Sequence, residues 1–481
     1  MQQSIYDLQR KNKPDNDSIQ KLQNILFFKR QQFDNYSYQL ETEFPRFNQL
    51  KYSRNTCSLE DVKSNLKPDE LFLEYHIADT TLYIFIVTDT ENSIIQIPVD
   101  SVFFRDIDVL NKFLTGGPGK NVSRVDAQFC DAAYKLYRIL IQTVETSYDK
   151  QKLIIIPDGQ LFYIPFEVLL TGSVSETMDS YDMLPYLLRK YPVNYSYSAS
   201  MFINSLKHPP SDYDRNLVVY ALGFKKEHYT YNASNINETF AQRGGDLYGE
   251  LAGVKDEVNG ILKIVDGDAF FDDRATEYRF KHPDKTYKAI HIATHGIINN
   301  ENPMFSRLVF SPDTIHDEDG NVYSWELFST KINAEMVVLS ACNTGYGKLR
   351  LGEGMMTLAR GFLYAGVPSM VISLWNVSDE STAVIMKSFY TNLNRGMEKE
   401  VALQKAKLQF LDDADDITAN PYFWGGFVHI GNTTPLSFGR LSDTVRYVIT
   451  FVMLLMLTGF VWWWRNKMRK SSHDAVKRQK V

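Results

Sequence analysis

The chain has 481 residues, enough for about three domain-sized units. Hydrophobic residues make up 44% and charged residues 23%, so most of the length can bury a core. The net charge of −6, with both signs interspersed, leaves no basic domain to make nucleic acid the main partner. The three cysteines, Cys57, Cys130 and Cys342, are too few and too scattered for a disulfide framework or a zinc site, and no side-chain cluster has the spacing of a metal or cofactor site.

Residues 1–50 are polar and helical in pattern. Asp17 or Ser18 can cap a helix carrying Ile19, Leu22, Leu26, Phe33 and Leu40, stopped near Pro45. This helix has no partner within its own stretch, so it reads as a stalk or as the end of a helical array that continues upstream. The N-terminus lacks the apolar core of a secretory signal. Ser58-Leu-Glu-Asp61 then has the form of a capping box opening a short helix. Leu71–His76, Thr81–Thr88 and Ser93–Val99 alternate as three strands, and their short gaps predict a meander. These strands define a strand-rich unit over 55–122, a smaller α+β subdomain. Thr115-Gly-Gly-Pro-Gly119 is a loop without the Lys-Ser/Thr of a phosphate-binding turn. A helix over 123–144 would bury Phe129, Ala133, Leu136, Leu140 and Val144.

From 123 to 431 strands and helices alternate. Strands are expected at Leu153–Pro157, Asn216–Gly223, Asp268–Phe271, Tyr287–Thr294, Met336–Leu339, Pro368–Leu374 and Gly426–Ile430. Helices are expected at Val254–Val265, Thr276–His282, Gly354–Tyr364, Asp379–Leu393 and Lys399–Asp412. Strands spaced by helices predict an α/β fold with a mostly parallel sheet flanked on both faces. Thr171–Asp182 and Lys225–Gly245 read as surface insertions.

After a linker over 432–446, residues 447–464 are eighteen uncharged, mostly apolar positions ending in Trp462–Trp464. A basic tail, 465–481, follows at once with Arg465, Lys467, Arg469 and Lys470. That is the pattern of one C-terminal membrane-spanning helix with an interfacial belt. The charge bias places the globular part outside the cytoplasm; the missing signal places it inside, or implies a longer precursor.

Two strands carry the chemistry. Met336-Val-Val-Leu-Ser-Ala-Cys-Asn-Thr-Gly345 is a strand buried on both faces that ends in a thiol and a glycine loop. Ala289-Ile-His-Ile-Ala-Thr-His-Gly296 is a second, ending in an imidazole and a glycine. If the two are parallel neighbours, His295 and Cys342 leave the sheet at one edge, where open α/β sheets bind ligands. A thiol nucleophile needs a base to raise its thiolate fraction and donors for the oxyanion. His295 fits the first need, and the backbone amides of Gly296 and Cys342 fit the second. His291, facing away from Ile290 and Ile292, reads as a satisfied structural histidine, and Cys57 and Cys130 as buried packing.

With these motifs, Gly352-Glu-Gly354, Leu358-Ala-Arg360, Ala365-Gly-Val-Pro368, Ser373-Leu-Trp-Asn-Val-Ser-Asp379 and Asn420-Pro-Tyr-Phe-Trp424 complete a pattern over about 55–431. Leu153-Ile-Ile-Ile-Pro-Asp-Gly159 and Ile164-Pro-Phe-Glu167 add to it. The chain resembles the CHAT family, caspase-like peptidase relatives often found next to helical repeats. The resemblance implies a caspase-hemoglobinase-like fold, a His295/Cys342 dyad and cleavage of protein or peptide substrates, with possible regulation by a protein partner. It implies that Asp379 lines a pocket for a basic substrate residue, with Glu353 as a second acid and Trp375 as pocket wall. For Asp379 the other reading is a helix cap, for Glu353 a first-turn acid, and for Trp375 a core residue. The rival to a peptidase is a non-catalytic interaction or signalling platform at the membrane.

Overall fold

The computed structural model describes residues 56–117, 125–174, 180–207, 212–222, 253–299, 303–313, 315–340 and 358–438. It adds the backbone of 349–350 and 354–355 and four isolated positions, Ile25, Lys29, Met456 and Thr458. Those positions apart, the stalk expected over 1–50 and the span expected over 447–464 lie outside the described residues, as do Cys342 and Glu353.

The first helix, α1 (Leu59–Asn65), starts as its capping box dictates. Ser58 Oγ accepts from Asp61 N at 3.1 Å, and Asp61 Oδ2 accepts from Ser58 N at 2.8 Å. The meander follows as β1 (Glu70–Ala78), β2 (Thr81–Val87) and β3 (Asn92–Pro98), each antiparallel to the next. It is not a separate sheet. Glu70–Glu74 pairs in parallel with β4 (Lys152–Ile156), so the strand-rich unit extends the main sheet.

Between β3 and β4 lie two helices, α2 (Ser101–Thr115) and α3 (Ala127–Tyr137). Asp100 caps α2, whose Phe103, Ile107, Leu110 and Leu114 form a buried stripe at helical spacing. Asp126 caps α3, which runs on through Arg138–Gln142 into Thr143–Glu145 and buries Phe129, Ala133, Leu136, Leu140 and Val144, the expected face. After β4, Gly159 takes φ +56°, where a side chain would be strained; Asp158 closes the turn by accepting from Gly159 N and Ile77 N.

The chain continues through β5 (Val193–Tyr195), α4 (Ala199–Leu206), β6 (Arg215–Ala221), α5 (Val254–Leu262), β7 (Gly267–Phe271), a short helix at Glu277–Lys281, and β8 (Tyr287–Ala293). Three short strands, β9 (Gly296–Ile297), β10 (Arg307–Val309) and β11 (Asn321–Tyr323), make a small sheet beside it. Then come β12 (Met336–Leu339), a two-residue pair β13 (Leu349–Arg350) and β14 (Gly354–Met355), α6 (Leu358–Tyr364), β15 (Ser369–Ser373), α7 (Asp379–Asn394), α8 (Lys399–Asp412), a short helix at Pro421–Trp424 and β16 (Phe427–Gly431). The helix expected from Gly354 begins only at Leu358, because Gly354 and Met355 pair with β13 instead.

Eleven strands form the main sheet in the order β3-β2-β1-β4-β5-β16-β15-β12-β8-β6-β7. β1, β4, β5 and β16 run one way. β15, β12, β8, β6 and β7 run the other, because β15 and β16 are antiparallel. Helices cover both faces. Tyr75, on one face, donates to Leu140 O at 3.0 Å under α3; His291, on the other, meets Tyr390 of α7.

One buried ion pair ties α8 to the turn after β4. Lys407 Nζ sits 3.1 Å from Glu167 Oε1, while the hydroxyl of Tyr195 donates to Glu167 Oε2 at 2.5 Å. Burial pulls the Lys407 ammonium down from its ordinary pKa, against the pull of Glu167. Removing one partner strands the other in the core. Lys407→Ala is therefore expected to cost about 3–5 kcal/mol in urea denaturation, and Lys407→Met with Glu167→Gln much less.

Candidate functional site

β8 and β12 are parallel neighbours. Val337 pairs with Ile290, Val338 with His291, and Leu339 with Ile292. β15 flanks β12 on the far side and β6 flanks β8, both also parallel. All seven residues of β8 but Lys288 are buried, as are all four of β12. This is the near-continuous aliphatic run that a strand covered on both faces needs.

The register fixes where the two strands end relative to each other. His295 follows Ile292 by three positions and Cys342 follows its partner Leu339 by three. The strand ends are tied at this edge by backbone bonds: Ser340 N donates to Ile292 O at 3.1 Å, and Leu222 N to Ala293 O at 3.1 Å. His295 is half-buried, and its carbonyl accepts from Val309 N at 2.9 Å. Gly296, the expected oxyanion donor, opens β9 and pairs with Leu308. The small sheet thus braces the histidine loop from outside. Cys342 and its amide, like Glu353, fall outside the described residues.

Asp379 lies beyond the end of β15, at the same edge. The cap position of α7 is Ser378, which makes no side-chain capping bond, and Asp379 is the first helical residue, so it is not the cap. Its carboxyl is half-buried and pushed up from the ordinary carboxylate range by burial, then by the charges of Glu257 and Glu380. A Cβ on Gly253 would lie 2.8 Å from both Asp379 Cβ and Asp379 O, so glycine is what lets α5 approach α7 here. Trp375 is 2% exposed, and its indole N–H donates to Tyr422 O at 2.9 Å. It packs over Gly425 and Gly426 in the interior, the burial of a core residue, the other of its two readings. Cys130 is buried and its thiol is pushed up to about 12 by burial, the inert state expected of packing. Cys57 is instead half-buried and lines a surface groove of about 210 Å³ beside β2 and β3.

His291 is fully buried. Its Nδ1 lies 3.2 Å from the hydroxyl of Tyr390, and its Nε2 lies 3.1 Å from Glu257 Oε1 and 3.3 Å from Ser340 Oγ. Glu257, Ser340 and Tyr390 were not singled out by the sequence. Glu257 alone left a trace, an acid within the Val254, Val258, Ile261 stripe of α5. Among the described residues no group of His, Cys, Asp and Glu side chains forms a metal site. No described helix is long and apolar enough to cross a membrane.

Residues 131–432 match the family model described as CHAT domain. Tetratricopeptide repeat protein 28 of Mus musculus is 22% identical over 318 residues, 60% of this chain and 12% of that protein; the Homo sapiens protein of the same name is 24% identical over the same length. The chain thus spans about an eighth of the length of these relatives. Among solved structures, the Saccharomyces cerevisiae separase–securin complex matches with TM-score 0.44 and 10% identity, over 78% of this chain and 30% of that one. The Arg-specific cysteine proteinase gingipain R matches with TM-score 0.37 and 8% identity, over 69% and 74%.

The raised pKa of Asp379 makes a stability prediction. An acid that holds its proton more tightly when folded gives a native state that binds more protons than the unfolded one. Stability then falls as pH rises from the ordinary carboxylate range through the folded value. Asp379→Asn is expected to be more stable than the parent chain at pH 7 and equal to it near pH 3, as read by urea midpoints across that range.

Proposed function

The chain belongs to the CHAT domain family, and from that premise we propose that it is a membrane-anchored, caspase-like cysteine endopeptidase. The observation that carries the reading is the pairing of β8 with β12 in the register Ile292–Leu339. It sets His295 and Cys342 the same number of residues past paired positions, in neighbouring strands that end at one edge. In the proposed reaction the Cys342 thiolate attacks a peptide carbonyl carbon and forms a tetrahedral intermediate. The amides of Gly296 and Cys342 hold its oxyanion. His295, having taken the thiol proton, returns it to the leaving amine as the C–N bond breaks. Water then attacks the thioester carbon, giving its proton to His295, and the carboxylic acid product leaves as the thiol reforms.

Asp379 is proposed to meet a basic side chain of the substrate, with Glu353 beside it. Its raised pKa supports this, since a cation arriving there would lower the carboxyl again. Residues 447–464 are proposed as a single C-terminal anchor, on the strength of their uncharged run, tryptophan belt and basic tail. Regulation by a docked protein is proposed from the likeness to a family whose members often lie next to helical repeats, with 1–50 as the end of such an array.

Alkylation by iodoacetamide at pH 6.5, read by peptide mass spectrometry, tests the chemistry. Cys342 is expected to react about tenfold faster than Cys57, and His295→Ala to remove the difference. A Cys342 no faster than Cys57 contradicts the peptidase and leaves an interaction platform. Co-flotation of the full chain with lipid vesicles, lost when the chain stops before Tyr447, tests the anchor.

A further inference from the structure

We propose that Glu257, His291 and Ser340 form a buried positioning unit that sets the strand end from which Cys342 departs, an inference that rests on the peptidase reading above. Ser340 is the residue after β12, two positions before Cys342. It is the next residue after Val338 on the face that carries His291. Its backbone N–H is held by Ile292 O at 3.1 Å, and its hydroxyl lies 3.4 Å from the same oxygen and 3.3 Å from His291 Nε2.

The donors and acceptors around His291 assign its tautomer. Nδ1 accepts from the Tyr390 hydroxyl, and burial keeps that phenol protonated well above its ordinary pKa. Nε2 then carries the proton and donates to Ser340 Oγ at 3.3 Å, while Glu257 Oε1 lies 3.1 Å from the same nitrogen as a charged neighbour without a hydrogen bond of its own. The imidazole of β8 thereby reaches forward to the end of β12, with a carboxylate of α5 set against the nitrogen that makes the bond.

A second buried histidine in the same sheet shows what mere satisfaction looks like. His429 is held by Ser369 Oγ at 3.0 Å and Asn194 Oδ1 at 2.9 Å, both neutral. Its cross-strand neighbour Val371 is aliphatic, as are Val219 and Val338 beside His291. Only His291 of this pair has a carboxylate partner. Burying that charge costs more than an aliphatic side chain would, and such groups fix one arrangement better than they add stability. The charge sits where the thiol strand ends. Glu257 is also one helical turn on from Gly253, the residue packed against the candidate substrate acid Asp379, and its charge helps raise that acid. The same unit therefore bonds the end of the nucleophile's strand and acts by its charge on the wall proposed to bind substrate.

The test measures iodoacetamide alkylation of Cys342 in the full chain from pH 6 to 9, with the melting temperature of each variant beside it. Ser340→Ala is expected to move the profile toward that of an ordinary thiol near pH 8.5: about tenfold slower at pH 6.5 and within about twofold at pH 9. Glu257→Gln should do the same, and Ser340→Thr, which keeps the hydroxyl, should restore the parent profile. Ser369→Ala, which cuts the neutral pair at His429, should lower the melting temperature and leave the profile in place. Parent-like profiles in both Ser340→Ala and Glu257→Gln overturn the proposal, as does a shift of equal size in Ser369→Ala. If His295→Ala leaves the parent profile unchanged, the dyad itself is refuted and the unit has nothing to position; that result is separate from the others.

Discussion

The parallel pairing of β8 with β12 is the constraint on which the site depends. Both strands are buried on both faces, so they lie in the middle of a sheet with helices above and below. Burial on both faces then makes register expensive to change. A slip of one residue would turn His291 toward the face of Ile290 and Ile292, away from Glu257 and Tyr390, and would put the two motif residues out of step. β6 and β15, paired in parallel on either side, hold that register from outside.

The sheet around this pair consists of two parallel sets running in opposite directions, joined where β15 meets β16. Hydrophobic burial alone does not choose such a joint, since aliphatic strands can pair either way. Buried polar groups sit there instead. His429 of β16 bonds Ser369 of β15 on one side and Asn194 of β5 on the other, and Asn194 also donates to Gly431 O at 2.9 Å. Each of these groups would be left unsatisfied in a shifted arrangement, which is how a polar network selects one pairing among many aliphatic ones. Burial and the nearby Lys399 hold His429 well below its ordinary pKa, so it stays neutral and serves as a fixed hydrogen-bonding group.

Elements with a strong local signal were legible in the sequence. The Ser58–Asp61 box appears with both its bonds, the buried stripe of α3 is the one its periodicity defines, and α8 spans Lys399–Asp412 as expected. β5 left no such signal: three residues long with a polar Asn194 at its centre, it is a strand only because β4 and β16 supply its partners. The opposed directions of the two sets were likewise invisible, because alternation of strand and helix says nothing about which neighbour a strand takes. At the site, His295 and the glycine after it stood out by position at a strand end. Glu257 did not, because an acid in a helix reads as solvent-facing until a buried imidazole is known to lie opposite. Trp375 could be read as core or as pocket wall from its motif, and its size and a carbonyl at 2.9 Å hold it in the interior.

Asp379 and Glu257 break the rule that acids face water, and they do so side by side. Glu257 is 2% exposed, with one carboxylate oxygen 3.1 Å from His291 Nε2 but in no hydrogen bond. Asp379 is acted on by burial and by two like charges, all of which raise its pKa. A fold selected for stability alone would separate these carboxyls or place a cation between them. Gly253 does the reverse, since its missing side chain is what allows α5 and α7 to meet at Asp379. Local rules are broken where a structure serves something other than its own stability. The imbalance at Asp379 has a definite sign: burial and the charges of Glu257 and Glu380 all act against its ionised form. A cation beside this carboxyl would act in the opposite direction and favour its ionised form.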